Sequence, residues 1–422
     1  MKITRFALFA ATIVALPAFA QSPPKADVAP FEEPPTLRAS EILKPEYLAG
    51  SHHKVRDAVP TYAGANWFTI DSDFGVFEAE GNALLEQRVQ EIYAIARLKE
   101  ISRTDEFGKA VARAAKSPVL AAKSLITQPA KTVSAVPKGL FKMLNRAGQG
   151  VKDAASGRET SGYEDKRASE LVGVSKVKRE LAVSLAVDPY SSNETLQREL
   201  NSIAWASFAG ESTVGALTMA ASGGAAAALT AAGVIDRNKD RLRESSPADL
   251  RRDNLALLEK MGVPRADTDA LLNNAAFSPW HQTEFVSELA ELDGVAGRGD
   301  FVRAAAEVSE DESDAIFCAQ TAALMRRIHG AGTKLDRIVI RNGYPVAIAA
   351  DGRIIVALQW DYAAWTPRAA GFLDEMEKLA AQGGKPARIH VVLTGQVSPT
   401  LRGQLEARGV SVQDRVVPGP LQ

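Results

Sequence analysis

The sequence predicts an α+β fold: a mainly helical body closed by a small C-terminal α/β module with a hairpin plus βαβαβ-like order. Three observations predict it. Apolar residues recur at helical spacing through "ALLEQRVQEIYAIARL", which puts Leu85, Val89, Ile92 and Ile95 on one face. Helix start signals then punctuate residues 168–334, as in "SSPADL", "GVPRAD" and "FSPWHQ". From residue 335 the style changes to β-rich runs, "DRIVIRNG", "YPVAIAADG" and "RIIVALQWD", followed by alternating helix and strand patterns.

The first 20 residues read as a secretory signal. Lys2 and Arg5 supply the positive end, Phe6 to Leu16 an apolar stretch too short to span a bilayer, and Ala18-Phe19-Ala20 a small-residue cleavage site. Cleavage after Ala20 and a periplasmic or secreted location are expected. Position 21 is Gln, so the usual bacterial lipid-anchor cysteine is missing there. Residues 21–60 are Pro-rich and charged, which reads as an extended tether.

Residues 61–146 open on "NWFTIDSDFGVFEAEG", whose alternation (Phe68, Ile70; Phe74, Val76) predicts a short hairpin, and then turn helical at Asn82. A polar Gly/Ser linker is expected over 147–167 and a helical domain over 168–334. Within the latter, Ser191 stands three residues before Glu194, the spacing of a capping box. The α/β module occupies 335–418, with Ala350-Asp351-Gly352 as a hairpin turn.

Two stretches are unusual. Residues 212–235 carry no charge and include nine Ala and four Gly, with small residues four apart such as Ala216/Ala220 and Ala228/Ala232. The scarcity of Leu, Ile and Phe, and the pair Gly223-Gly224, favour a buried helical hairpin kinked at the glycines over a constitutive transmembrane helix. Insertion on some trigger is the competing reading. The other stretch, from Phe107 to Val151, holds eight Lys or Arg and no Asp or Glu. Pro118, Pro129 and Pro137 cut it into short pieces that each set Lys beside Val, Leu, Ile or Phe, the composition of an interfacial amphipathic helix. Lys109, Lys116, Lys123, Lys131, Lys138 and Lys142 are its candidate lipid- or partner-facing residues. The plainer alternative is a set of surface helices with lysines in solvent.

Net charge is −1, which argues against a nucleic-acid-binding protein. Cys318 is the single cysteine and, in "DAIFCAQTAALMRRI", reads as a small buried hydrophobe. The stretches "SDFGVFEAEGNALLEQRVQEI", "DPYSSNETLQRELNSIAWASFAG" and "ADGRIIVALQWDYAAWTPR" are similar to blocks in bacterial exported proteins of unknown function. That resemblance implies export and a shared architecture, and it brings no activity.

No complete catalytic motif occurs in the sequence. His281 lies three residues before Glu284, so both share a helix face, but no second cluster joins them. His52-His53 and the carboxylate pairs Asp71/Asp73 and Glu78/Glu80 read more simply as polar faces. "GVAGRGDF" misses the third glycine of a dinucleotide fingerprint. Ligands of open α/β sheets bind beyond the carboxyl ends of strands, which singles out Asp361, Thr394 and Ser398, with Arg402 one turn further. Ordinary helix capping by Ser398 is the plainer role. The expected function is an exported, non-catalytic cell-envelope protein that binds an anionic membrane surface or an envelope protein. The alternative is an enzyme or small-ligand-binding protein that holds an anion in the α/β module. Neither a cofactor nor a metal is called for.

Overall fold

The computed structural model describes residues 29–114, 169–210, 213–216, 241–382, 387–417 and 419–422. Helices and sheets are both present, the mixed α+β class that the patterning implies.

The Pro-rich stretch differs from its expected role as a tether. From Thr36 it holds strand β1 (Thr36–Arg38), helices α1 (Ala39–Ile42) and α2 (Pro45–Leu48), and strands β2 (His53–Val55) and β3 (Ala58–Tyr62). Isolated apolar residues between the prolines explain this: Leu43, Tyr47, Val55 and Val59 are all buried, and Pro45 sits at the first turn of α2, where no N–H is needed. Strand β4 (Ala65–Ser72) pairs antiparallel with β3, β2 and β5 (Gly75–Glu80). The β4–β5 hairpin buries Phe68 and Ile70, whereas Val76 faces solvent.

Helix α3 (Asn82–Ser102) closes this sheet. Leu85, Val89, Ile92 and Ile95 are each 0% exposed, so the face read from periodicity is the buried one. Helix α4 (Asp105–Ala114) follows, and α5 (Ser169–Ser184) packs beside α6 (Glu194–Ala209), which also touches α3 and α4. The true cap of α6 is Asn193, whose Oδ1 accepts from the backbone N–H of Thr195 and Leu196. Ser191 lies two residues before that cap: its hydroxyl donates to Glu91 of α3, and its Oγ accepts from the backbone N–H of Asn193 (3.1 Å).

Helices α7 (Pro247–Lys260), α8 (Arg265–Asn273), α9 (Pro279–Ala290), α10 (Arg298–Val308) and α11 (Glu312–Gly330) build the next layer. Cys318 lies inside it, 2% exposed, and burial pushes its thiol up to about 12. It is chemically quiet.

The last sheet has the order β12-β10-β8-β7-β6. Strands β6 (Leu335–Arg341), β7 (Tyr344–Ala349) and β8 (Ile354–Leu358) run antiparallel, and β10 (Ile389–Leu393) and β12 (Ser411–Gln413) continue it in parallel. One face packs on α10 and α11 through Ile338, Ala347 and Ile355. The other packs on α12 (Pro367–Ala381) and α13 (Pro399–Ala407) through Val346, Val356 and Leu358. Cover on both faces is why "IIVAL" is apolar throughout rather than alternating. A two-stranded ribbon of β9 (Tyr362–Ala363) and β11 (Gln396–Val397) runs along its carboxyl end.

Among the described residues, no helix is long and apolar enough to cross a membrane. Most of the run 212–235, and with it the question of a buried hairpin, lies outside the described residues, as does the linker 147–167.

Candidate functional site

The carboxyl end of the C-terminal sheet is where the sequence placed a ligand. Asp361 immediately precedes the ribbon there, 2% exposed. Its Oδ2 accepts from the backbone N–H of Asn66 (3.1 Å) and Asn82 (3.0 Å), and its Oδ1 from the Gln359 amide (3.2 Å). Asn82 opens α3, and the residue before it, Gly81, has φ +94° and no side chain to cap with. Asp361 therefore caps α3 from the far end of the sequence. Burial raises its carboxyl to about 7, against the pull of those two N–H groups.

Thr394 and Ser398 are brought to the same end of the sheet. Thr394 donates its hydroxyl to the Trp360 carbonyl (3.2 Å). Gly395 beside it admits no side chain, since a Cβ would stand 2.0 Å from the Asp361 carbonyl oxygen. Ser398 caps α13 by accepting from Leu401 N–H (3.1 Å), and it donates to the Glu32 carboxylate (2.5 Å). Arg402 turns to Asp414 (2.6 Å). Each of the four residues thus has a partner within the protein, and the anion at the α13 N-terminus is Glu32, which sequence reasoning had assigned to the tether.

A second polar cluster was not anticipated. Arg88 of α3 donates to Glu91 (2.8 Å), to Glu312 at the start of α11 (2.6 Å) and to Ser192 (2.8 Å). Glu91, 0% exposed, also accepts from Gln87 (3.1 Å), Ser191 (2.5 Å) and Asn193 (2.9 Å). Burial works against the Glu312 carboxylate, but the guanidinium of Arg88, with a hydrogen bond from Ser192, holds it below the ordinary carboxylate range. Nearby, Ser278 caps α9 by accepting from His281 N–H (3.2 Å) and donates to Asp188 (2.8 Å).

An Asp, a Ser and a His so placed invite comparison with a nucleophilic triad. The order is wrong for one: the Ser278 proton points to the carboxylate, and His281 Nδ1 stands 3.3 Å from a hydroxyl already engaged. Burial lowers the His281 pKa, so the ring is neutral near neutral pH. His281 and Glu284 are both buried, and among the described residues no group of three His, Cys, Asp or Glu could hold a metal.

No family model, curated protein or solved structure matches this chain. Function has to come from the residues themselves.

Asp188 offers a test of the second cluster. Burial, with Glu312 and Glu91 adding to it, raises its carboxyl from 3.8 to about 7. The folded state then holds a proton that the unfolded chain releases, so this group's stabilising contribution is full below about pH 4 and is lost as pH rises through about 7. Asp188→Asn lacks that titration. The stability of the wild type minus that of the variant should fall toward neutral pH with a slope of up to about 1.4 kcal/mol per unit. Urea midpoints of both proteins between about pH 5 and about pH 7 measure it. Parallel profiles would show that Asp188 is ionised in the native protein.

Of the basic segment, only its start is described. Lys109 is exposed on α4 and pairs with Glu106 (2.7 Å), while Arg113 donates to the Gly210 carbonyl (2.8 Å). Phe107 and Ala110 face inward, and Gly210 sits so close that a Cβ there would lie 2.3 Å from the Ala110 carbonyl oxygen. Lys116, Lys123, Lys131, Lys138 and Lys142 lie outside the described residues.

One cavity, of about 420 Å³, lies against the "GVAGRGDF" run. Its lining includes Pro264, Gly297, Arg298 and Arg303. Arg303 is paired with Asp300 (2.5 Å), and Gly297 supports the turn with φ +76°.

Proposed function

We propose that this is an exported protein of the bacterial cell envelope, cleaved after Ala20, that acts by binding and not by catalysis. The observation that carries the reading is the basic run: eight Lys or Arg and no acid from Phe107 to Val151. A surface of anionic lipid headgroups is its partner in this reading, at about 1 kcal/mol per basic group near the membrane. The exposure of Lys109 at the start of the run, on a helix seated on α6, supports it. The internal pairing of Asp361, Thr394, Ser398 and Arg402 supports the non-catalytic half.

The fold reading that goes with this function takes residues 335–418 as an α/β module carried by the helical body. One observation favours a ligand role for it: a carboxylate, that of Glu32, sits at the α13 N-terminus.

Liposome flotation of the mature protein tests the lipid reading. Binding to anionic vesicles is expected, with little binding to neutral ones and steep weakening as salt rises. Replacing Lys116, Lys123, Lys131, Lys138 and Lys142 with Gln should abolish the preference. Equal binding to both vesicle types, or binding indifferent to salt, would transfer the run's role to a protein partner.

A further inference from the structure

The α13 N-terminus holds more than an isolated anion. Residues 29–32 lie along Trp365 as an extended strand would. Glu32 N–H donates to the Trp365 carbonyl (2.8 Å), and Trp365 N–H donates to the Glu32 carboxylate (2.6 Å). The indole N–H donates to the Ala29 carbonyl (3.1 Å), and the rings of Phe31 and Trp365 lie 5.9 Å apart. The same Glu32 oxygen that takes Trp365 N–H also takes the Ser398 hydroxyl (2.5 Å), and Thr400 adds a further hydrogen bond. Although burial opposes it, the hydrogen bonds of Ser398, Trp365 and Thr400 keep the Glu32 carboxyl below the ordinary carboxylate range.

The two sides of this contact differ in how firmly they are held. On the receiving side Trp365 and Ser398 are both 0% exposed with the arm docked, and Trp365 belongs to the hydrophobic cluster of the C-terminal sheet. On the arriving side no residue from Ala29 to Pro35 is buried, and Phe31 keeps half of its surface in solvent. An arm with no buried residue of its own belongs to the low-stability end of the molecule. Pro30, Pro34 and Pro35 keep the arm extended whether docked or not, which lowers the entropy that docking must overcome. The receiving side is part of the packed C-terminal core, and the arm adds no buried residue of its own.

We propose that Trp365 with the α13 N-terminus forms a peptide-binding seat specific for an extended segment bearing an aromatic residue followed by glutamate. Residues 29–32 are its occupant in cis, an exchangeable strap that a partner protein's segment of the same chemistry displaces. Backbone pairing with Trp365 supplies affinity, and the carboxylate on Ser398 and Thr400 supplies specificity. The seat is independent of the basic run, so failure of lipid binding leaves it untouched.

The test uses the full chain and a fluorescent synthetic peptide copying residues 29–36, read by anisotropy. In the wild type the strap competes at the high effective concentration of a linked segment. Phe31→Ala/Glu32→Gln should therefore bind the peptide about tenfold or more tightly than the wild type does. Phe31→Ala alone, which keeps the carboxylate, should fall between them. The same peptide with Gln in place of its first Glu should bind the double variant at least about tenfold more weakly, since Gln leaves the seat's donors poorly matched. Circular dichroism checks that the variants are folded. Absence of binding to the folded double variant, equal binding to wild type and variant, or equal binding of the Glu and Gln peptides overturns the proposal.

Discussion

Replacing Arg88 with alanine is expected to cost about 3–5 kcal/mol of stability, the range for removing one partner of a buried ion pair. Arg88 stands between two carboxylates, Glu91 and Glu312, and its side chain is only 9% exposed. Without it two negative charges face each other across a desolvated space. The remaining donors to Glu91 (Gln87, Ser191 and Asn193) are neutral and cannot offset that repulsion. The network also joins α3, the 188–193 loop and α11, so the loss is felt in three places in the chain. Urea unfolding should show a lower midpoint with an unchanged slope. A cycle with Glu312→Gln separates the causes: removing the second carboxylate should return part of the loss in the Arg88→Ala background while costing stability in the wild type. A loss below about 1 kcal/mol in Arg88→Ala would mean that the charges are solvated and the network holds nothing together.

Some of this architecture was legible in the sequence, and the reason is local. The α3 face of Leu85, Val89, Ile92 and Ile95 follows from the helical repeat alone, because a helix sets which of its own residues share a side. The β4–β5 hairpin is legible for the same reason, with a limit: alternation put Val76 inward beside Phe68 and Ile70, yet it is 58% exposed near the turn. Ser191 marks where local reasoning stops. Its spacing to Glu194 is that of a capping box, but the helix starts at Glu194 itself, so Asn193 caps it and Ser191, two residues earlier, donates to Glu91 while accepting from Asn193 N–H.

The candidate sites were less legible because their partners are remote. Ser398 was visible as a helix cap, but its second partner, Glu32, is hidden in a Pro-rich stretch whose composition resembles any tether. Arg88, Glu91 and Glu312 carry no spacing that separates them from surface charges on an amphipathic helix. Only the fold brings α3 and the start of α11 together. Asp361 was noticed for its place at a strand end, and the seat it occupies lies between Asn66 and Asn82, far away in the chain.

Asp361→Ala is expected to destabilise the protein by about 2–5 kcal/mol, because it leaves the buried N–H groups of Asn66 and Asn82 without an acceptor. No nearby group replaces it: the N-cap residue of α3 is Gly81, whose φ of +94° is required by the chain's turn into the helix. Asp361→Asn separates the acceptor from the charge. Its amide oxygen can still receive the two N–H groups, and the cost of burying a carboxylate disappears, so a loss within about 1.5 kcal/mol is expected. The carboxyl, raised to about 7 from 3.8, also gives the wild type a stability term that declines as pH rises toward 7, and the Asn variant lacks it. The gap between wild type and Asp361→Asn should therefore narrow or reverse at higher pH. Hydrogen exchange gives the site-specific check, since the amides of Asn66 and Asn82 should lose protection in the Ala variant and keep it in the Asn variant. If both variants were as stable as the wild type with those amides still protected, Asp361 would be free of the capping role. It would then again be a candidate to meet a ligand.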